Sequence, residues 1–284
     1  MITLLSDFGT ADAYVGAMKG AIATISPEIL TCDLTHNIPP QNILAARFNL
    51  MLAYPYFPVG TVHLAVIDPG VGSSRRAIAL QTPSGFFVGP DNGLFGGVLE
   101  REPVIAAVSL TRSRYWRVTR PSATFHGRDI FAPVAAHLAR GVPIGQVGDR
   151  IHPATLVRPN LTPYSQRAVQ QGHQSITVCA GSLQYIDGFG NLISNIPGQA
   201  VPSASWQVII KTAEGLRQFT GVKTYSDVPV GSLAALVGSH GWVEVACNGG
   251  SAKSALRIGA TTPSVTVGNA VFLSVLSLDM TELQ

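Results

Sequence analysis

Residues 2–10 read Ile2-Thr3-Leu4-Leu5-Ser6-Asp7-Phe8-Gly9-Thr10, a short apolar run that ends in a carboxylate and a glycine. Such a run predicts a buried strand feeding a loop. Working outward, Ala13 to Ser26 carries Val15, Met18, Ile22 and Ile25 at helical spacing. Ile29 to Leu34 is a second strand, Ile43 to Tyr54 a second helix, and Thr61 to Ile67 a third strand followed by an Asp-Pro-Gly turn. Strand, helix, strand, helix, strand implies a mostly parallel central sheet flanked by helices. Further strands are expected at Ala77 to Gln81 and Phe86 to Val88, joined by Thr-Pro-Ser-Gly. A helix is expected at Ile130 to Arg140, with Gly141 as its C-cap.

The pattern then changes. Val157 to Gln174, with Pro159 and Pro163, reads as a linker. Short β-rich runs follow at Ser175 to Val178, Trp206 to Lys211, Leu233 to Val237, Trp242 to Cys247 and Ser264 to Val267. They predict a small antiparallel barrel or sandwich. The expected organisation is an α/β domain over residues 1–160 and a β domain over 174–284.

The 284 residues are 46% hydrophobic and only 12% charged, which supports a sizeable core and leaves room for surface buried against other subunits. A net charge of +3 without a dense basic run argues against nucleic acid. No apolar stretch reaches membrane-spanning length, and Asp7 comes too early for a secretory signal. Cys32, Cys179 and Cys247 lack metal or disulfide spacing and read as reduced thiols of a cytoplasmic protein.

Several motifs place polar chemistry at loops. Asp7 follows the first strand, where open α/β sheets bind ligands, and its carboxylate suits ribose hydroxyls; a turn aspartate is the plainer reading. Asp68-Pro69-Gly70-Val71-Gly72 occupies the equivalent place after the third strand, with Arg75 nearby. The pair could orient a small polar group or serve as a structural salt bridge. Thr124-Phe125-His126-Gly127-Arg128-Asp129 precedes a helix. Its histidine is catalytic or structural, and Asp129 is expected as an N-cap. Asp187-Gly188-Phe189-Gly190-Asn191 offers an aromatic face and polar ends, or simply a β-turn. Ser239-His240-Gly241-Trp242 and the run from Glu244 to Gly249, which contains Asn248, form a further patch. Asp7, Asp68 and His126 lack metal-ligand spacing, so no metal is expected.

In this order and at these separations the motifs, with Gly89-Pro90-Asp91-Asn92-Gly93, resemble the S-adenosyl-L-methionine hydroxide adenosyltransferases, relatives of the fluorinase and chlorinase. The resemblance runs over nearly the whole chain. It implies an N-terminal α/β domain, a C-terminal antiparallel β-barrel and a homotrimer whose substrate site is shared between subunits. It implies hydrolysis of S-adenosyl-L-methionine to adenosine and L-methionine without a cofactor. The family's Asp-Arg-His triad falls on Asp68, Arg75 and His126, with Arg75 preferred to Arg76 on spacing alone. Asp7 matches the ribose-binding position and Asp187 the methionine-binding position, with Ser239 contributing. Phe189, Asn191 and Asn248 match positions around the adenosine.

The halogenase relatives carry Tyr at the place of Asp68, and the fluorinase has Ser at that of Gly127; these two departures favour water over halide. The relatives' Arg at the places of His240 and Cys247 removes the carry-over of methionine or backbone contacts at those positions. The rival readings are a halogenase, a non-catalytic binder of S-adenosyl-L-methionine or adenosine, and a methyltransferase.

Overall fold

The computed structural model describes residues 1–171, 174–201, 205–212, 214–258 and 273–278. The chain divides into two compact units, Met1–Pro159 and Asn160–Gln284.

The first unit is built on a seven-stranded sheet. In chain order its elements are β1 (Ile2–Ser6), α1 (Tyr14–Ile25), β2 (Thr31–Thr35), α2 (Ile43–Ala53), β3 (Thr61–Val66), β4 (Ala77–Gln81), β5 (Gly85–Pro90), α3 (Gly96–Leu99), β6 (Ala106–Ser109), α4 (Ala132–Ala139), α5 (Ile144–Val147) and β7 (Asp149–Arg150). The order across the sheet is β2-β1-β3-β5-β4-β6-β7. The first four of these strands run parallel, and the rest are added antiparallel. Every residue of β1 and β3 is buried, as expected for parallel strands covered on both faces. Helix α1 packs with α4, and α2 with α3. Helix α2 starts where the Asn42 side chain accepts from the Ala45 N–H, 2.9 Å away.

This topology positions the site. From β1 the chain crosses to β2 on one side, then returns past β1 to β3 on the other. The order reverses between β1 and β3, which leaves a crevice beyond their carboxyl ends. The parallel register pairs Ser6 with Val66, so the loops that begin with Asp7 and Ile67 emerge side by side.

The helix expected at Ile130 is entered through a π-helical turn, Gly127–Phe131, and Gly141 follows its end at φ 89°. Asp129 is therefore not an N-cap. It lies inside the π turn, 1% exposed, and its carboxylate receives Arg117 Nε at 2.8 Å, Arg128 Nε at 2.7 Å and the Ser122 N–H at 2.9 Å. The guanidinium groups of Arg117 and of its chain neighbour Arg128 hold it, and no free helix end is left for it to cap.

Among the described residues, the second unit holds two antiparallel sheets, of four and five strands. Its strands are β8 (Ser165–Gln171), β9 (Gln174–Gly181), β10 (Leu183–Ile186), β11 (Leu192–Pro197), β12 (Ser205–Thr212), β13 (Gly215–Thr220), β14 (Leu233–Val237), β15 (Trp242–Cys247) and β16 (Leu273–Leu278), with a short helix α6 (Ala252–Ala255). The sheet orders are β10-β11-β15-β14 and β13-β12-β16-β9-β8. Strand β8 falls inside the stretch expected to be a linker. It is an edge strand, and its residues 165–168 are exposed, so a polar sequence is what an edge allows. The run Ser264 to Val267 lies outside the described residues.

Gly89 sets how closely β5 approaches β3 just ahead of Asp68. A Cβ there would collide with the Ala65 carbonyl oxygen. Gly89→Ala should lose roughly 1–3 kcal/mol in urea denaturation. Gly188→Ala, which meets no atom within 4 Å, should leave the midpoint unchanged. Equal midpoints for both variants would contradict this packing.

Candidate functional site

The crevice beyond β1 and β3 opens into a cavity of about 410 Å³. Asp7, Phe8, Tyr14, Pro40, Gln41, Val66, Asp68, Pro69, Val71, Thr124, Phe125, His126 and Gly127 line it. Four segments therefore converge: residues 7–10 after β1, 36–41 after β2, 67–75 after β3 and 124–127 ahead of α4.

The loop after β3 is a pair of tight turns. The Val71 N–H donates to Asp68 O at 3.1 Å, and Ser73 Oγ donates to Gly70 O at 2.6 Å. Gly72 has φ 76°, and a Cβ there would collide with the Ala123 carbonyl, so glycine is required on both counts. The turns fold Arg75 back onto Asp68. Arg75 Nε donates to Asp68 Oδ1 at 2.8 Å, and Arg75 Nη2 donates to Asp68 Oδ2. The same Nη2 lies 2.7 Å from His126 Nδ1. The two charged side chains are 11% and 7% exposed. The guanidinium also sits over the Phe131 ring, 5.2 Å from its centroid.

This geometry fixes a protonation state. A guanidinium only donates, so His126 Nδ1 accepts, and the proton of the neutral ring is on Nε2. Burial, and after it the positive charge of Arg75, holds the imidazole below its ordinary value of 6.5. The structure also separates the two adjacent arginines. Arg76 faces away to Asp91, with Nε 2.8 Å from Oδ2, and reaches Thr155 Oγ1 at 3.0 Å. It ties Asp91 to the segment that ends the first unit, where Asp91 also accepts the Val157 N–H at 2.9 Å.

Asp7 Oδ2 accepts the Gln41 N–H at 2.8 Å, and Oδ1 has no protein donor among the described residues. Gln41 is a non-glycine residue at φ 63°, a conformation held by its surroundings. Phe8, Tyr14 and Phe125 form a mutual aromatic cluster with centroids 5.3–5.7 Å apart. The sequence singled out neither Tyr14 nor Gln41. The tyrosine is half exposed on the first turn of an amphipathic helix, and the glutamine sits in a proline-rich loop; neither pattern separates a cavity lining from ordinary surface.

In the second unit, Phe189, Asn191, Tyr225, Cys247, Gly249 and Gly250 line a cavity of about 520 Å³. Asp187 builds the loop beside it. Its Oδ1 accepts the N–H groups of Phe189 and Asn191 at 3.0 and 2.8 Å, and its Oδ2 accepts Asn191 Nδ2 at 2.9 Å. The Asn191 amide is thus spent on the loop, whereas Phe189 stands 79% exposed. Asn248 donates its amide to Val228 O at 2.7 Å and so pins a neighbouring turn. Ser239 is not brought to this loop. It lies in the exposed turn between β14 and β15, at the Pro197 end of β11, whereas the Asp187 loop adjoins the Leu192 end. Six strand residues at about 3.3 Å each separate them. Sequence reading missed Tyr225, whose hydroxyl donates to the buried Glu244 at 2.7 Å. Burial first and Glu244 next push that phenol up to about 12. Glu244 also meets His240 Nε2 at 2.7 Å. Among the described residues, no group of three His, Cys, Asp or Glu side chains could hold a metal ion.

Comparison with known proteins bears on both units. The model of the SAM hydroxide adenosyltransferase N-terminal domain matches residues 2–148, and that of the C-terminal domain matches residues 181–264. A protein of Salinispora tropica named (R)-S-adenosyl-L-methionine hydrolase is 40% identical over 258 residues, 90% of this chain and 94% of its own length. A protein of Actinoplanes sp. named fluorinase is 26% identical over 87% of this chain and 91% of its own. The crystal structure of an uncharacterized conserved protein from Thermotoga maritima superimposes with a TM-score of 0.80 at 32% identity, covering 97% of this chain and 100% of that one.

The Arg75–His126 contact has a direct spectroscopic consequence. In an NMR titration His126 should gain its proton only below pH 6.5, because burial and Arg75 both disfavour the imidazolium. In Arg75→Gln the midpoint should rise, since removing the cation leaves Asp68 to stabilise the charged ring. A wild-type midpoint above 6.5, or one unmoved by the substitution, would contradict the geometry.

Proposed function

Because the chain belongs to the SAM hydroxide adenosyltransferase family, we propose that it hydrolyses S-adenosyl-L-methionine to adenosine and L-methionine through attack of water at C5′. The observation that carries this reading is the partly buried Asp68–Arg75–His126 cluster in the crevice beyond β3. The sulfonium leaves as a neutral thioether, so departure needs no general acid and no cofactor. The difficulty lies with the nucleophile, since free water has a pKa of about 15.7. Each Asp68 oxygen receives one Arg75 N–H and keeps a lone pair that can hold the attacking water and take up its proton. Arg75 balances the carboxylate charge and stabilises hydroxide character as it develops. His126, accepting at Nδ1, locks the guanidinium in place and leaves its Nε2–H as a donor.

The same cluster disfavours a halogenase. A halide site needs uncompensated positive charge or donors in a dry pocket. Here the one guanidinium of the cluster is already neutralised by a carboxylate that lines the cavity, and that carboxylate would repel chloride. Gly127 offers no hydroxyl. A Cβ there would sit 3.1 Å from Met18 Sδ and 3.3 Å from Phe125 Cε2, so a larger side chain would be crowded.

We further propose that Asp7 anchors the ribose hydroxyls with its free oxygen, that Phe189 stacks on the adenine, and that Asp187 meets the methionine ammonium with its remaining lone pair. The loop and turn roles of Asn191 and Asn248 support a place beside the base mainly through the backbone they hold. Nothing in the position of Ser239 supports a share in the Asp187 subsite within one unit. The assembly proposed is a homotrimer in the cytoplasm, the cavity of one subunit facing the Phe189 loop of a neighbour. Support comes from the exposed Phe189 ring, the three free cysteines and the 12% charge content.

With S-adenosyl-L-methionine in molar chloride, mass spectrometry should find adenosine as the main product. Asp68→Asn and His126→Ala should each turn over roughly 10²-fold more slowly, with substrate affinity changed less. Chloroadenosine as the main product, or wild-type rates in both variants, would overturn the assignment. Sedimentation should show a trimer, and a fully active monomer would remove the shared site.

A further inference from the structure

Behind Asp7 lies a chain of polar groups that the reaction does not touch. Ser6 closes β1, is 0% exposed and precedes the proposed ribose anchor. Its Oγ lies 2.7 Å from Nδ1 of His36, itself 4% exposed in the loop after β2. His36 Nε2 faces Asp33 Oδ1 at 3.1 Å, within ion-pair distance but without hydrogen-bond geometry, and Lys19 of α1 donates to Asp33 Oδ2 at 2.7 Å. The carboxylate beside Nε2 keeps the ring proton there, so Nδ1 accepts and the Ser6 hydroxyl donates. The lone pairs of that hydroxyl face the Phe8 N–H, 3.4 Å away.

This arrangement has the atoms of a serine–histidine–aspartate triad, but Ser6 is fully buried and does not line the cavity, so it has no substrate to attack. What the chain does is join two loops. His36 also accepts the Gly9 N–H on its carbonyl at 2.8 Å. Together with the Asp7–Gln41 bond at 2.8 Å, the loops after β1 and β2 are latched at three points, and Asp7 sits between them. With one Asp7 oxygen fixed on Gln41, the other is held toward the ligand.

We propose that His36 is a positioning residue for substrate binding, acting through Asp7 by way of Ser6 and the Gly9 backbone. This rests on the reading of Asp7 as the ribose anchor. A buried hydrogen bond that orients a charged anchor has an effect that appears in affinity rather than in the chemical step, because the water-bearing Asp68 cluster sits on a different loop.

The test is calorimetric binding of adenosine, with kcat and KM for S-adenosyl-L-methionine, to the full-length protein and its variants. His36→Ala should weaken adenosine binding about tenfold and raise KM similarly, with kcat within about twofold. Ser6→Ala, a small change in volume, should do the same and keeps the test available if His36→Ala does not fold. His36→Asn, whose amide can reach the Nδ1 position, should restore most of the affinity. In an Asp7→Ala background, His36→Ala should add nothing. Asp7→Ala at wild-type affinity would sink the anchor reading and this proposal together. Asp7→Ala weakened, with His36→Ala and Ser6→Ala at wild-type affinity, would sink the proposal alone. An undiminished His36→Ala effect in the Asp7→Ala background would do so too.

Discussion

The Arg75 guanidinium is the centre on which the candidate catalytic loop depends. It spends its donors on Asp68 and on His126 Nδ1, joining the loop after β3 to the turn before α4. A buried cation is tolerated only when its partners are fixed. The surrounding structure supplies that fixing: Gly72 lets the loop fold back, and the Phe131 ring lies under the guanidinium. The π turn over Gly127–Phe131 presents His126 at its start, and Asp129 anchors that turn. Arg128 foremost, outweighing burial, and then Arg117 and the Ser122 N–H hold the Asp129 carboxyl well below the usual carboxylate range. The stabilising effect of that group is complete above the ordinary carboxylate range and declines progressively as the pH falls below it.

The two units meet recognition in different ways. The first concentrates charge: Asp7 and Asp68 open into one cavity, each with one side already tied to the protein. A sulfonium cation suits such a cavity, since two carboxylates and an aromatic cluster surround it. The second unit spends its polar side chains on its own loops. Asp187 and Asn191 bind each other, Asn248 pins a turn, and Glu244 is shared between Tyr225 and His240. What it presents outward is the exposed Phe189 ring, the face proposed to stack on the base.

The sequence was most legible where hydrophobic periodicity and loop motifs coincide. β1 and β3 are mostly apolar runs followed by the loops that carry Asp7 and Asp68, and the parallel topology places both loops at the carboxyl end of the sheet. Spacing alone preferred Arg75 to Arg76, and the geometry separates them by partner. Asp129 was misread because an acid before a helix ordinarily caps it, whereas here the π turn encloses it and Arg117 and Arg128 bind its carboxylate instead. The strand β8 was hidden because its edge position permits a polar composition without alternation. His36 was invisible as a functional candidate: its bond to Ser6 spans thirty residues, and only the pairing of β1 with β2 brings them together. Ser239 followed its motif neighbours on paper, yet the length of β11 separates it from Asp187.

In the proposed mechanism, water held by the Asp68 cluster is the group that joins C5′. One turnover of S-adenosyl-L-methionine in ¹⁸O-labelled water tests it directly, with both products analysed by mass spectrometry. One ¹⁸O atom is expected in the 5′-hydroxyl of adenosine and none in methionine. Unlabelled adenosine, or label in methionine, would contradict it.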